Sequence, residues 1–284
     1  MADLMQQRGM VQSGDVRLFY RLFKPEGSGS EALPLIILHG SNYFDSFDWI
    51  DVATDLARTR PVVAFDHRGF GNSDWSATKD YSLDAILADI LNISAHFGWE
   101  RPAILGHSMS GRLAIFFAAN FSAHLSKLII VDSALGSGNP GKYVVSVGNP
   151  AKVYPTVEAA MAPLASRPSP PRFAVDFERA SLALRKVEGG FALKRDPDHR
   201  NTQSQAPGAA KPRLRDLDVW DALSQVACPV TFVRGEKSDR NKSEYYERIA
   251  RDFPHCGIET IDARHDIAFE APGDLVAAID RILA

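Results

Sequence analysis

Apolar residues in this chain follow two periods that take turns. Five short, largely apolar runs have the length and continuity of strands buried on both faces: Leu35 to Leu38, Val62 to Phe65, Pro102 to Leu105, Leu128 to Val131 and Pro229 to Val233. Between the early runs the apolar positions take helical spacing instead. Trp49, Ile50, Val52, Ala53, Leu56 and Ala57 form one such set, and Leu83, Ile86, Leu87, Ile90, Leu91 and Phe97 another, with Ser82 placed to cap it. A third helical run, Leu113 to Asn120, follows the third strand. Val16 to Lys24 alternates as an early strand does, and Glu26 to Glu31 is a glycine-serine loop. The first half thus reads β-α-β-α-β-α-β, which predicts a parallel sheet with helices on both faces.

That rhythm breaks from about Ser133 to Asp221. The stretch holds Pro140, Pro150, Pro155, Pro163, Pro168, Pro170 and Pro171 and a polar segment, Asp196 to Pro212. It has short helical runs such as Phe173 to Val187 and no strong strand signal. The rhythm returns with Pro229 to Val233, a helix around Glu244 to Asp252, a strand Gly257 to Ile261, and a last helix from Pro272 to Leu283. The expected organisation is a core domain made of residues 1–133 and 222–284, interrupted by a mostly helical cap over 134–221. Segments of that kind cover active sites and set substrate choice.

Candidate chemistry sits where the third strand meets its helix, at Gly106-His107-Ser108-Met109-Ser110-Gly111. A serine between small residues at a strand-to-helix turn is the signature of a nucleophile elbow. The usual spacing is G-x-S-x-G; here Ser110 holds the second small position and the glycine comes one place later. A serine hydroxyl needs an adjacent base. Of the eight histidines, His265 is placed for that role. It lies on the loop after the strand ending at Ile261, at the sheet edge where ligands bind in open α/β folds. His39 and His107 lie inside motif turns and read as structural. Two aspartates are candidates for the acid that holds the histidine: Asp132, at the end of Leu128 to Val131, and Asp239, in the loop after the next strand. Both obey the order Ser…Asp…His, and the more rigid strand-end position favours Asp132. The oxyanion needs fixed donors. The backbone N–H of Met109 and that of Ser41, with Asn42 as the weaker alternative, are the candidates. Phe44, Trp75, Tyr143 and Tyr154 are candidates for lining an apolar pocket.

Composition narrows the class. Of 284 residues, 45% are hydrophobic and 24% charged, values of a soluble globular protein with a large core. A formal net charge of −3 leaves no basic footprint for nucleic acid. The two cysteines, Cys228 and Cys256, have no zinc-binding spacing, so free thiols and no metal are expected. Met1 to Met10 lacks the apolar stretch of a secretion signal, and no apolar run approaches the ~18 residues of a membrane span. A cytoplasmic monomer or homodimer without membrane partner is expected. No Walker-type loop is present, and Gly69-Phe70-Gly71 lacks the third glycine of a dinucleotide site because Asp74 stands there. No cofactor is expected. Arg167, Arg172, Arg179, Arg185, Arg195 and Arg200 in the inserted stretch read mostly as solvated helix faces, with room for one or two to bind a carboxylate. Arg112 reads as a packing residue.

Taken with His39-Gly40-Ser41, Asp66-His67-Arg68-Gly69-Phe70-Gly71-Asn72-Ser73, Arg234-Gly235 with Ser238-Asp239, and His265 with Glu270 and Pro272, the chain resembles the α/β-hydrolase superfamily. The resemblance implies a mostly parallel eight-stranded sheet with a helical cap inserted after strand six, Ser108 as nucleophile and His265 as base. Some members carry the acid after strand six, which maps to Asp132, and others after strand seven, which maps to the Asp239 region. Many of the latter place it three residues after the strand-end glycine, where this chain has Ser238. Related haloalkane dehalogenases and epoxide hydrolases use an aspartate nucleophile, and Ser108 argues against both chemistries. The expected activity is cleavage of a carboxylic ester or related acyl bond of a small molecule. Alternatives on the same fold are hydrolysis of a carbon–carbon, amide or lactone bond, a ligand receptor, or a lyase or cofactor-free oxygenase.

Overall fold

The computed structural model describes residues 4–25, 32–41, 45–136, 151–165, 176–200, 218–240 and 242–284. Each apolar run expected to be a strand is one: β3 (Leu35–Leu38), β4 (Val62–Phe65), β5 (Ala103–His107), β6 (Leu128–Val131) and β9 (Val230–Gly235). They are joined by β1 (Leu4–Ser13), β2 (Val16–Pro25) and β10 (Gly257–Ile261) in an eight-stranded sheet of order β1-β2-β4-β3-β5-β6-β9-β10. Strand β2 is antiparallel to β1 and β4, and every other neighbouring pair is parallel. The expected early strand is β2; its partner β1 carried no signal, because at this sheet edge most of its side chains face water.

The continuous apolar runs are explained by helices on both faces. Ile36, Leu38, Ile104, Leu128 and Ile130 point to one side, into a core shared with α2 (Leu83–His96) and α3 (Met109–Asn120). Leu35, Ile37, Leu105, Ile129 and Val131 point to the other, against α1 (Ile50–Leu56) and the C-terminal helix α7 (Pro272–Leu283). A strand covered on both sides has no polar-facing position, so alternation disappears from its sequence. Ser82 caps α2 as expected, its hydroxyl accepting the N–H of Ala85 at 3.3 Å.

Between β6 and β9 the chain forms α4 (Val157–Ala165), α5 (Phe177–Ala183) and an antiparallel hairpin of β7 (Leu184–Val187) and β8 (Gly190–Leu193). The helical run expected over Phe173 to Val187 therefore ends at Ala183 and continues as a strand. Gly189, at φ +81°, supplies the turn that makes this stretch a hairpin. Tyr154, Val157, Ala160, Met161, Ala180, Ala183, Leu184 and Leu193 make a small core of their own. In α6 (Val219–Ser224), Val219 and Trp220 pack in the main core although the expected boundary falls after Asp221.

Two polar clasps hold this segment against the sheet domain. Arg179 of α5 is 1% exposed, and its guanidinium grips Asp48 at 2.7 and 2.6 Å, with Asp45 at 3.3 Å. It does not lie on a solvated helix face as expected. Burial disfavours its charge, but Asp48 and Asp45 outweigh that and raise its pKa. Nearby Arg21 and Asp66 are buried too, giving three carboxylates for two guanidiniums, and burial pushes Asp45 up to about 7 despite the Arg179 charge. At the second clasp the Asp196 N–H reaches the Gly69 carbonyl at 2.9 Å, its carboxylate accepts from Tyr81 and from Lys79 at 3.1 Å, and Arg195 lies over Phe70.

Arg179→Ala is expected to destabilise the protein by about 3–5 kcal/mol, because it leaves Asp48 buried without its partner. A guanidinium denaturation midpoint equal to that of the wild type would refute this role.

Candidate active site

Ser108 stands between β5 and α3 with φ +56° and ψ −118°, a conformation that a residue bearing a Cβ adopts only under constraint. Its N–H donates to the Val131 carbonyl at 2.9 Å, and its carbonyl accepts from Ser133 Oγ at 2.6 Å and Gly111 N at 3.1 Å. The turn is tight enough that a Cβ on Gly106 would collide with the Ser110 carbonyl, and one on Gly111 would lie 2.5 Å from Ser133 Cβ. Glycine is thus required at 106 and at 111. Ser110 is fully buried; its hydroxyl donates to the His39 carbonyl and lies 2.8 Å from His67 Nε2.

His265 Nε2 lies 3.0 Å from Ser108 Oγ, and His265 Nδ1 lies 2.5 Å from Asp132 Oδ2. One hydrogen-bonded chain runs from a buried carboxylate through an imidazole to a half-buried hydroxyl. Asp132 is itself held on all sides: Oδ1 accepts the Gly235 N–H at 2.9 Å and Oδ2 the Ser238 hydroxyl at 2.6 Å. Burial alone would raise its pKa, but the hydrogen bond and charge of His265, then Ser238 and Gly235, outweigh that and hold it below its ordinary 3.8. Asp132 is therefore ionised at neutral pH. The stability it contributes is present above 3.8 and is lost as the pH falls through its lowered value.

Asp239, the other candidate aspartate, is 58% exposed and pairs with Arg240 at 3.3 Å. The loop that carries it serves Asp132 differently, through Gly235 and Ser238. It also sets the His265 loop, since Glu236 N donates to the Ile261 carbonyl at 2.8 Å and Lys237 N to the Ala263 carbonyl at 3.0 Å. Gly235 packs so closely on that loop that a Cβ would lie 2.5 Å from the Arg264 carbonyl. His107 backs the His265 ring at 4.9 Å and donates from Nε2 to the His265 carbonyl at 3.1 Å. Burial, with the nearby His265, pushes His107 down to about 4, so it is neutral.

Gly40 abuts the elbow: a Cβ there would lie 3.4 Å from Ser108 Cβ and 3.0 Å from His107 Nδ1. The half-buried Ser41 directly follows Gly40 in the chain, and Met109 begins α3. The first N–H groups of a helix have no intrahelical acceptor and carry the positive end of its dipole. Asn42, Phe44 and Tyr143 lie outside the described residues. Tyr154 is buried within the inserted segment's own core, under Lys152, and Trp75 stacks under Arg185. Arg112 is buried on α3, as a packing residue is. Among the described residues no group of three or more His, Cys, Asp or Glu side chains is placed to hold a metal, and no helix is long and apolar enough to cross a membrane.

The sequence pattern characteristic of the alpha/beta hydrolase fold matches residues 34–272. The chain belongs to the alpha/beta hydrolase family. Among solved structures, this hydrolase is similar to E-2-(acetamidomethylene)succinate hydrolase, with a TM-score of 0.80 and 21% identity over 98% of this chain and 99% of that one. Among curated proteins it is 30% identical to the soluble epoxide hydrolase of Corynebacterium sp. (strain C12) over 118 residues, 41% of this chain and 40% of the relative. It is 31% identical to the N-formylmaleamate deformylase of Pseudomonas putida over 134 residues, 47% of each protein. The matched stretch is less than half the length of either curated relative.

Proposed function

We propose that this alpha/beta hydrolase is a cofactor-independent serine hydrolase that cleaves a carboxylic ester or related acyl bond of a small molecule through an acyl-enzyme. The observation that carries the reading is the continuous chain from Asp132 through His265 to Ser108. Ser108 Oγ attacks the acyl carbon while its proton passes to His265 Nε2. The oxyanion that forms is held by the Met109 and Ser41 N–H groups. Collapse of the adduct breaks the bond to the leaving group, which takes the proton from His265. Water then attacks the acyl-enzyme, giving its proton to His265 and releasing the acid and Ser108. Asp132 holds Nδ1–H throughout and stabilises the imidazolium.

A serine hydroxyl at the elbow suits attack on a carbonyl, unlike the aspartate chemistry associated with epoxide hydrolases. The similarity to a deformylase and to an acetamidomethylene hydrolase favours an amide as the second substrate class. We assign residues 134–221 as the cap over this site and place the protein in the cytoplasm.

The decisive experiment is a short incubation with p-nitrophenyl acetate, acid quenching and peptide mass spectrometry. An acetyl group on the peptide containing Ser108 is expected. Acetylation elsewhere, or equal labelling of Ser108→Ala protein, overturns the proposal.

A further inference from the structure

We propose that Ser110, the serine standing where the elbow motif usually has glycine, is a positioning residue that aims the oxyanion loop His39-Gly40-Ser41, acting with the buried ring of His67. The inference rests on the functional reading above and concerns residues outside the Asp132–His265–Ser108 chain.

The polarity of the network follows from its partners. The Ser110 hydroxyl has one proton, which goes to the His39 carbonyl. His67 Nε2, 2.8 Å from the same hydroxyl, must then be the donor. The His67 backbone N–H donates to His39 Nε2 at 3.0 Å, so that nitrogen is bare. His39 Nδ1 therefore carries the proton, and it lies 2.6 Å from the Gly40 carbonyl. Both rings are neutral, as their burial demands: burial pushes His39 down to about 3 and His67 well below its ordinary range. His67 Nδ1 is left buried with no partner among the described residues, so that ring has one hydrogen-bond role, its donation to Ser110.

The network fixes the loop from two sides. Ser110 holds the carbonyl of residue 39 and the His39 ring holds the carbonyl of residue 40, so the peptide plane that contains the Ser41 N–H and the plane before it are both restrained. Glycine at 110 meets the steric demand of the turn but provides no hydroxyl. A loop aimed from the elbow itself keeps donor and nucleophile in one frame, and misaim of an oxyanion donor is felt in the transition state alone.

The test is the steady-state hydrolysis of p-nitrophenyl acetate by wild type, Ser110→Gly, Ser110→Ala, His67→Leu, His67→Gln and Ser108→Ala proteins, each with its thermal midpoint. Ser110→Gly and Ser110→Ala are expected to lower kcat by about 10- to 100-fold with KM within about threefold. His67→Leu should show the same split, and His67→Gln, which keeps a donor, should recover most of it. If Ser110 is only a small residue that fits the turn, Ser110→Gly keeps the wild-type kcat, and the proposal is overturned. A variant too unstable to assay leaves the His67 pair to decide by the same criterion. Wild-type turnover that survives Ser108→Ala overturns the functional reading, and the inference with it.

Discussion

Ser108→Ala is expected to lower the turnover of p-nitrophenyl acetate by on the order of 10⁴- to 10⁶-fold and to leave the thermal midpoint unchanged. The first half follows from the chain at the elbow, in which Ser108 Oγ is the atom that His265 Nε2 faces at 3.0 Å. The second half follows from what holds the backbone. The contacts to Val131, Ser133 and Gly111 are made by the N–H and carbonyl of residue 108, not by its side chain. Alanine keeps the Cβ and therefore the same strain at φ +56°. Ser108→Gly, which removes the Cβ, should be more stable than either by about 1–2 kcal/mol and equally inactive. An unchanged rate in either variant removes Ser108 from the chemistry. A large fall in stability would mean that the side chain, not the backbone, holds the turn.

Much of this arrangement was legible beforehand because strong physical constraints write themselves into short stretches. A strand covered on both faces, such as Leu35 to Leu38, has to be apolar at every position. An elbow has to have Gly106, and the His265 loop has to follow a strand. What stayed illegible depended on partners remote in sequence. Arg179 looks like a surface arginine until α5 meets Asp48, 131 residues away. Strand β1 presents mostly polar side chains, so its pairing with β2 rests on backbone hydrogen bonds that leave no apolar pattern. Ser110 registered only as an imperfect match to the elbow motif, since its partners His39 and His67 come from two other loops. Sequence alone leaves Asp132 and Asp239 open as the acid because β6 and β9 are neighbours and both end at the same sheet edge. Their local geometry differs: Asp132 turns at φ +44°, its carboxylate meets His265, and Ser238 donates to it.

Asp132→Asn is therefore expected to lower kcat by about 10⁴-fold, and Asp239→Asn by less than about twofold. The loss at 132 comes from the hydrogen-bond frame around the side chain. The Gly235 N–H donates to Oδ1, so an asparagine there must keep its oxygen on that side. Its NH₂ group then occupies the Oδ2 place, facing His265 Nδ1. An NH₂ facing Nδ1 requires that nitrogen to be bare, which moves the ring proton to Nε2. The ring then presents N–H, not a lone pair, to Ser108 and cannot accept its proton. Ser238 adapts, since its oxygen already accepts the Arg240 N–H at 3.2 Å and its own proton is free to turn away. Geometry is preserved while the tautomer is wrong, so Asp132→Asn should keep an acid-independent residual rate that rises as hydroxide replaces the missing base. Among the described residues Asp239 has no such frame and makes an exposed pair with Arg240. Rates measured for both variants from pH 6 to 10 decide the matter: a loss confined to Asp239→Asn, or equal small losses at both positions, would refute the assignment of Asp132 as the acid.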